Sequence, residues 1–569
     1  MREIGIDINV DSERIQSLYS ACPARNPIRS EKTRYQHYCA AESNNTAPPK
    51  PTTAATIMAD ATNSSVVGAA VALGLAWVRS HPWGICGAIL LVNLVLTRNR
   101  KGLREIPGPF LASFSNLWKL RAVWNKNMHR ENVRVHEDYG PIVRIGPNHV
   151  SVADPQSMKL IYGVQNVFRK SAFYPLAEAI YQGKFLPTLF TTESNEYHMR
   201  LKRGSTRAFA MDTVVGLEPF VDKCISLLLE RLREVSQNGK QGINPVEWMQ
   251  YFAFDVLGEI NFSKDLGFLE NGKDVDNIIA AIGGILVYVS LIGQIPRLHK
   301  FLLGNPLLAK FFPGIEKTNQ VLQFSLQQVE ERQRNPVDRK DILSQLLETH
   351  KNDPESLTMS EIIAITTTNV IAGSDTTAVS LSSVMYHLSK YPETKKKLVQ
   401  EIEHAEREGL ASNPITYAEA IKLPYLSAVI DEAMRMHSAT GFILERVVPK
   451  NGITLHGVYL PENTIVGVNG WVLHRNKEVF GEDAHTFRPE RWTEGDPEKI
   501  KEMRRNLFSF GHGPRSCIGK NISILEMWKV VFELYRNFDI VLASDDEWKV
   551  LGHWFTPQSN VKVLLKPRN

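Results

Sequence analysis

The sequence is poor in cysteine, and no run of lysine and arginine in it is interleaved with aromatic residues. The five cysteines, Cys22, Cys39, Cys86, Cys224 and Cys517, are an odd number, lie far apart and include no C-x-x-C pair. This pattern argues against a disulfide framework and against a zinc site. A net charge of +5 over 569 residues, without a basic and aromatic groove pattern, argues against a nucleic-acid partner. The composition, 43% apolar and 22% charged, is that of a globular protein, and reducing surroundings fit best.

The N-terminal part of the chain changes composition twice. Residues 1–64 are polar and lack sustained periodicity, which predicts a disordered extension. Residues 65–97 are apolar apart from a short break, and together they are long enough for one tilted, kinked transmembrane anchor; a buried hairpin is the alternative. Four basic residues within 98–106 favour the cytoplasmic side and predict a basic hinge. The remaining residues, 107–569, are predicted to form the folded body.

Periodicity within the body predicts a mainly helical fold with small β-sheets. Helical patterns dominate 214–234, 319–334 and 361–389, the last of these after a capping box of Thr358 and Glu361. Short alternating runs at 143–154 and 451–460 predict strands.

One cysteine lies in an unusual loop, FSFGHGPRSCIGKNIS at 508–523. Glycines at 511, 513 and 519 permit positive φ and close approach of the backbone, and Pro514 stiffens the turn. A helix predicted from Asn521 places its positive dipole end beside Cys517, which lowers a thiol pKa and favours the thiolate. The loop therefore predicts a reactive or ligating sulfur.

A thiolate in such a loop is either a nucleophile or a metal ligand. His512 is near in sequence, but nothing identifies a third group that would orient it as a base. Metal or haem ligation is therefore favoured, and a structural cysteine in a turn remains the third interpretation.

The loop carries a specific resemblance. Phe510, Gly513, Arg515, Cys517 and Gly519 form F-x-x-G-x-R-x-C-x-G, which resembles the haem-thiolate loop of the cytochrome P450 family. The resemblance implies that Cys517 is the axial ligand of haem b iron, that Arg515 pairs with a propionate, and that the other three residues bind the cofactor. The resemblance extends over roughly residues 107 to 565 and implies the α+β fold of this family. Within the family, the sequence is most like fungal microsomal members of the pisatin demethylase type.

A second motif, ITTTNVIAGSDTTAVS at 365–380, lies in the middle of a predicted helix. Gly373 and the clustered threonines are poor helix formers, so packing against neighbouring helices is one explanation for them. In the family, the A-G-x-D-T-T pattern crosses the haem face opposite the thiolate. The resemblance therefore implies that Asp375 and Thr376 are the catalytic acid and alcohol that deliver protons to bound oxygen.

Other charged residues gain meaning only from the resemblance. Glu432 and Arg435 form E-x-x-R on one helical face, and Arg491 in FRPERW completes the structural Glu-Arg-Arg network of the family. Lys202 and Arg446 match propionate-binding positions, although Arg203 competes with Lys202 and ordinary surface charges are the alternative.

The implied activity is that of a haem-dependent monooxygenase acting on a hydrophobic small molecule. Electrons would come from NADPH through cytochrome P450 reductase, at an endoplasmic reticulum membrane with a cytosolic catalytic domain. Fungal secondary metabolism or detoxification is the expected setting, and 281–293 and 438–444 are the expected pocket walls. The alternatives are a haem-thiolate isomerase or dehydratase and a haem-binding protein without catalysis. The basic residues near the loop predict a reductase-docking surface: Lys501, Arg504, Arg505 and Lys520.

Overall fold

The computed structural model describes residues 82–164, 168–303, 314–544 and 546–568. The predicted disordered extension and most of the predicted anchor lie outside these described residues.

The described helices run from α1 to α21 in chain order: Pro82–Arg98, Leu117–Trp124, Met128–Tyr139, Pro155–Tyr162, Asn195–Ser205, Met211–Gly216, Glu218–Val235, Pro245–Phe262, Phe268–Asn271, Ile278–Ile292, Arg297–Leu303, Gly314–Arg334, Ile342–Asn352, Met359–Lys390, Pro392–Arg407, Tyr417–Ala420, Pro424–Met436, Gly470–Leu473, Lys477–Phe480, Pro497–Arg505 and Lys520–Asn537. The strands run from β1 to β13: Ile142–Gly146, His149–Val152, Arg169–Lys170, Ala179–Tyr181, Lys184–Leu186, Arg446–Val447, Ile453–Leu455, Val458–Leu460, Ile465–Val468, Phe538–Leu542, Lys549–Val550, Gln558–Ser559 and Val563–Pro567.

Helix α14 runs through the centre of the body. It begins at the predicted capping box, where Thr358 Oγ1 accepts from Glu361 N at 3.4 Å and Glu361 Oε2 accepts from Thr358 N at 2.9 Å. It packs against α8, α12, α17 and α21, and most of its length is buried. The helix predicted for 361–389 is confirmed, and that for 319–334 lies within α12.

One helix prediction was wrong in detail. The pattern over 214–234 is interrupted at Leu217, which separates α6 from α7. Pro219 stands in the first turn of α7, where its missing N–H costs nothing, but its ring prevents a helix from continuing unbroken from α6.

The largest sheet among the described residues has five strands in the order β1-β2-β9-β6-β3, with β2 and β9 parallel and the other pairs antiparallel. Both predicted strand regions are confirmed, as β1 with β2 and as the hairpin of β7 with β8. The body is therefore mainly helical with small sheets, as the sequence predicts. The sheet also positions the site, because β3 and β6 pair Lys170 directly with Arg446.

The segment at 98–106 is fixed to this sheet. Arg144 on β1 donates to the carbonyl oxygens of Thr97 at 2.8 Å, Arg98 at 3.0 Å and Leu103 at 3.3 Å. Leu103 is fully buried. The domain boundaries drawn from the sequence remain predictions.

Helix α1 has an apolar surface, with Ile89, Leu90, Leu91 and Leu96 each 60–68% exposed. Among the described residues, one helical stretch is long and apolar enough to cross a membrane, Val275–Ile292, and Cys86–Arg98 is a shorter apolar helix. Val275–Ile292 includes α10, and several of its side chains belong to the main hydrophobic core, among them Ile282, Ile285 and Val289. The anchor at 65–97 remains a prediction.

Candidate active site

The cysteine loop is held by glycines at two tight positions. Gly511 and Gly513 have φ of +69° and +70°, as predicted, and a Cβ on Gly513 would lie 1.8 Å from the carbonyl oxygen of Tyr162. The loop closes through Cys517 N, which donates to Phe510 O at 2.9 Å. Gly519 differs from the prediction, because its φ is −79° and it stands at the start of α21.

The expectation of a lowered thiol pKa was wrong. Burial raises the pKa of Cys517 above its ordinary value, and it outweighs the opposing effect of the backbone N–H groups of Gly519 and Lys520 and the charges of Lys520 and Lys202. The sequence indicates the backbone N–H donors and the helix dipole near Cys517, but it does not show how deeply the thiol is buried. Within these surroundings a bound cation is what would favour the thiolate.

Cys517 is deep in the body, yet its side chain is exposed to a central cavity of about 310 Å³. Cavity-lining residues of α14 include Ala372 and Thr376. Apolar side chains from both predicted walls also line it, Ile285 and Val289 from α10 and Phe442 and Leu444 from the segment after α17. The cavity therefore combines a sulfur, a hydroxyl and a mainly apolar surface.

Four basic side chains line the same cavity: Lys170, Lys202, Arg446 and Arg515. Among the described residues, none of the four lies within 4.0 Å of a carboxylate; their partners include carbonyl oxygens. Burial and the charge of Arg446 lower the pKa of Arg515 to about 10. Lys170 and Arg446 are buried, and a buried cation without a counterion is stabilised by an anion. Haem, a flat apolar ring with two carboxylates, fits these residues, and Cys517 is the residue predicted to ligate its iron.

Lys202 and Arg203 of α5, the two residues that the sequence leaves as candidates for contact with a propionate, differ in position. Lys202 lines the cavity and donates to Pro514 O at 2.7 Å, whereas Arg203 is exposed and is not among the cavity-lining residues. Lys170 was missed by sequence reasoning. Burial holds its pKa well below the ordinary value, and its ammonium lies 4.2 Å from the ring centroid of Tyr174. The only sequence signal for it is a basic pair in a short strand.

Asp375 and Thr376 face different surroundings. Thr376 lines the cavity, and its hydroxyl donates to Ala372 O at 2.9 Å. Asp375 is not among the described cavity-lining residues; instead, Gln250 on α8 donates to its Oδ1. Burial raises the pKa of Asp375 to about 6. The proton-delivery role of the pair remains a prediction, and Gln250 had no sequence signal.

The poor helix formers of α14 have a packing explanation as well. A Cβ on Gly373 would lie 2.9 Å from Leu257 Cδ1 on α8, so the glycine lets these two helices approach closely. Thr377 Oγ1 lies 3.1 Å from Ser523 Oγ on α21. Glu526, one turn further along α21, is buried, and its pKa is raised to about 8, which keeps it protonated at neutral pH.

The three residues of the predicted network meet in one buried cluster. Glu432 accepts from Arg435 Nε at 2.7 Å and Nη2 at 2.8 Å, and from Arg491 Nε at 2.9 Å. Trp492 Nε1 and Arg488 N donate to the same carboxylate at 2.9 and 2.8 Å. The two carboxylate oxygens therefore accept five hydrogen bonds. Their geometry agrees with a structural role, which remains a prediction.

Comparison with known proteins identifies the family. The cytochrome P450 family model matches residues 106–565. The chain is 37% identical to the cytochrome P450 monooxygenase cicH of Emericella nidulans over 489 residues, which cover 85% of this chain and 97% of that protein. It is 38% identical to a cytochrome P450 monooxygenase of Aspergillus terreus, covering 79% and 93%. It is also 36% identical to a pisatin demethylase of Fusarium vanettenii, covering 82% and 89%.

Proposed function

The chain belongs to the cytochrome P450 family and is a monooxygenase, and we propose that it inserts one oxygen atom from dioxygen into a hydrophobic small molecule. The observation that carries this proposal is the central cavity, where Cys517 and Thr376 lie on a mainly apolar surface. Hydroxylation, epoxidation and demethylation are all within this reaction class.

The residues that would hold the cofactor have distinct tasks. Cys517, which lines the cavity, would bind the iron as a thiolate, and the basic residues of the lining would pair with the propionates: Lys170, Lys202, Arg446 and Arg515. When bound, haem with a thiolate ligand activates dioxygen, using two electrons that originate from NADPH. The surrounding apolar side chains exclude water, which limits wasteful release of reduced oxygen.

Protons reach the cavity through α14. The hydroxyl of Thr376 is the group placed on the cavity, and Asp375 is the nearest acid in sequence, with a pKa of about 6 that suits proton exchange near neutral pH. Gln250 holds the carboxyl against α8, so transfer to Thr376 involves a turn of the Asp375 side chain or an intervening water.

The substrate is expected to be a terpenoid, polyketide or alkaloid intermediate of fungal secondary metabolism, or a foreign compound of similar character. Support comes from the aliphatic and aromatic walls of the cavity, including Phe442 and Trp554, and from the similarity to a pisatin demethylase.

The protein is proposed to work at the endoplasmic reticulum membrane, with an N-terminal anchor and a cytosolic catalytic domain. The exposed leucines and isoleucine of α1 and the basic residues that follow them support this orientation. An NADPH–cytochrome P450 reductase is the proposed electron donor. Of the predicted docking residues, Lys501 pairs with Glu498 at 2.7 Å and Arg504 with Asp431 at 3.8 Å, while Lys520 is exposed beside the cysteine loop.

The first test is the absorption spectrum of the reduced protein with carbon monoxide, for wild type and Cys517→Ala. A thiolate-type Soret band in wild type alone is expected. The same spectrum in both proteins would contradict the assignment of Cys517.

A second test separates catalysis from haem binding. With reductase and NADPH, a set of lipophilic compounds is screened for substrate-dependent NADPH consumption and an oxygenated product. Rearranged product without NADPH use would favour an isomerase or dehydratase, and haem binding without turnover of any compound would favour a non-catalytic protein.

A further inference from the structure

Strands β3 and β6, which carry Lys170 and Arg446, are joined by a very short ladder. Each strand has two residues, and the backbone pairs are Lys170 with Arg446 and Arg169 with Val447. A change of register alters which side chains face each other, and a ladder of two pairs offers few contacts that resist such a change. Side-chain contacts between the two segments therefore matter for keeping Lys170 beside Arg446 in the central cavity.

One side-chain hydrogen bond joins the two segments directly beside this ladder. Ser171 follows Lys170 in the chain, Glu445 precedes Arg446, and the Ser171 hydroxyl donates to Glu445 Oε2. Both residues are buried, and neither is among the described residues that line the central cavity. Successive side chains of an extended segment point to opposite faces, so this bond lies behind the two cations, away from the cavity.

The hydroxyl of Ser171 also binds its own segment. It accepts from Phe173 N at 3.2 Å, two residues further along the chain. One side-chain conformation thus satisfies a donor within the segment and an acceptor on the other segment. The chain directly after β3 is therefore fixed with respect to Glu445.

The carboxylate of Glu445 belongs to a buried charged cluster. Its Oε1 lies 3.4 Å from His149 Nε2, and Nδ1 of the same imidazole lies 2.6 Å from Lys119 Nζ on α2. Burial holds the pKa of His149 well below its ordinary value, so the imidazole is neutral. Burial lowers the pKa of Lys119 to about 8, with Glu445 opposing this effect, so Lys119 is a cation at neutral pH. Glu445 thus has a partner charge on its own side of the sheet.

We propose that Ser171 and Glu445 are positioning residues, whose hydrogen bond holds β3 against β6 so that Lys170 stands beside Arg446 and faces a haem propionate. The inference rests on the proposed function, because it assigns Lys170 to a propionate. A competing support for the ammonium is its own hydrogen bond to Phe190 O. If that bond alone suffices, removal of the Ser171 hydroxyl changes nothing at the cofactor.

The test compares full-chain holoenzymes by haem transfer to excess apomyoglobin and by redox titration. Ser171→Ala is expected to release haem at least about tenfold faster than wild type, which corresponds to weakening of one charge-assisted hydrogen bond. Its reduction potential should be lower, because less positive charge then faces the propionates. Ser171→Thr keeps the hydroxyl and should restore both values.

The matched control is Ser263→Ala. Ser263 also donates to a buried carboxylate, that of Asp341, and neither residue is among the described ones that line the central cavity. This variant should leave the reduction potential and the haem transfer rate unchanged. It therefore separates the proposed role from the general loss of a buried serine–carboxylate bond.

The decisive comparison uses Lys170→Met as a second background. Because Ser171 acts through Lys170, adding Ser171→Ala to Lys170→Met should change the potential no further. An equal change in both backgrounds would overturn the inference, as would a Ser171→Ala enzyme that matches wild type in both measurements. If Lys170→Met itself leaves both values unchanged, the assignment of Lys170 to a propionate is wrong, and the inference is lost with it.

A variant that yields no holoenzyme has a substitute. If Ser171→Ala cannot be prepared with haem, Ser171→Cys replaces it, because a thiol keeps most of the volume but is a weak donor. The same faster haem transfer and lower potential are expected, and wild-type values would refute the positioning role.

Discussion

Replacing Glu432 with glutamine is expected to lower the free energy of unfolding by about 3–5 kcal/mol, the usual cost of breaking a buried ion pair. In wild type the side chains of Glu432 and Arg435 are fully buried, and that of Arg491 is 1% exposed. An amide in place of one carboxylate oxygen directs its NH₂ group at donors such as Arg435 Nε and Trp492 Nε1, which are 2.7 and 2.9 Å from the present oxygen. It also leaves Arg435 without a counterion.

The size of the effect follows from these contacts. Each charge-assisted hydrogen bond contributes about 1.5–3 kcal/mol, so the loss of two is consistent with the figure above. Because the whole stability of a protein is about 5–15 kcal/mol, the variant loses a large share of it. The matched control is Glu498→Gln, which breaks an exposed pair with Lys501 and should cost less than about 1 kcal/mol.

The assay is urea denaturation of the purified holoenzymes, followed by circular dichroism and by the Soret band. Glu432→Gln should show a clearly lower midpoint and lose haem at lower urea concentration than Glu498→Gln. Equal midpoints for the two variants would show that the buried carboxylate is not what stabilises this region.

Three further expectations concern the central cavity and the residues around it. Thr376→Ala should retain haem but release more peroxide per NADPH, measured with reductase and substrate. The control Thr368→Ala should not raise the peroxide yield, although Thr368 also lines the cavity. Equal peroxide yields would show that Thr376 is not part of the proton path. Because the pKa of Asp375 is raised from 3.8 to about 6, the folded state holds this proton more tightly, and stability is lost as pH rises through 6. Relative to Asp375→Asn, wild type should therefore lose about 1–2 kcal/mol between pH 5 and pH 8 in urea titrations, and a constant difference would contradict the raised pKa. Gly513→Ala should sharply reduce haem content after purification, because its Cβ would lie 1.8 Å from a carbonyl oxygen. The control Gly283→Ala on α10 should keep its haem, since no atom lies within 4 Å of the added Cβ. Similar haem contents would show that the loop adapts.

Predictions from the sequence are correct where a feature depends on residues that lie close together in the chain. The positive φ of Gly511 and Gly513, the capping box of α14 and the hairpin of β7 with β8 depend on residues within a few positions of one another. The E-x-x-R pair of the buried network, by contrast, was identified only through the resemblance to the family, because its spacing alone indicates no more than a shared helical face.

What the sequence could not predict depends on contacts between distant segments. Gln250 and Asp375 are 125 positions apart, and nothing in either motif indicates that they meet. The predicted direction of the pKa shift of Cys517 was wrong, because desolvation of the thiol depends on how much of the body surrounds the loop. The break at Leu217 was readable from Pro219, but helical periodicity masked it.

Because β3 pairs with β6 in a fixed register, the number of residues before β3 determines which of its side chains faces the cavity. β3 has two residues, Arg169 and Lys170, and only the register that places Lys170 opposite Arg446 directs a lysine into the cavity while Arg169 reaches Glu193 at the surface. Side chains of a strand alternate between faces, so a shift of one residue would exchange the two. Insertion of a single residue just before β3 would thus turn Lys170 away from the cavity and bring the side chain of Arg169 to the face that Lys170 now occupies.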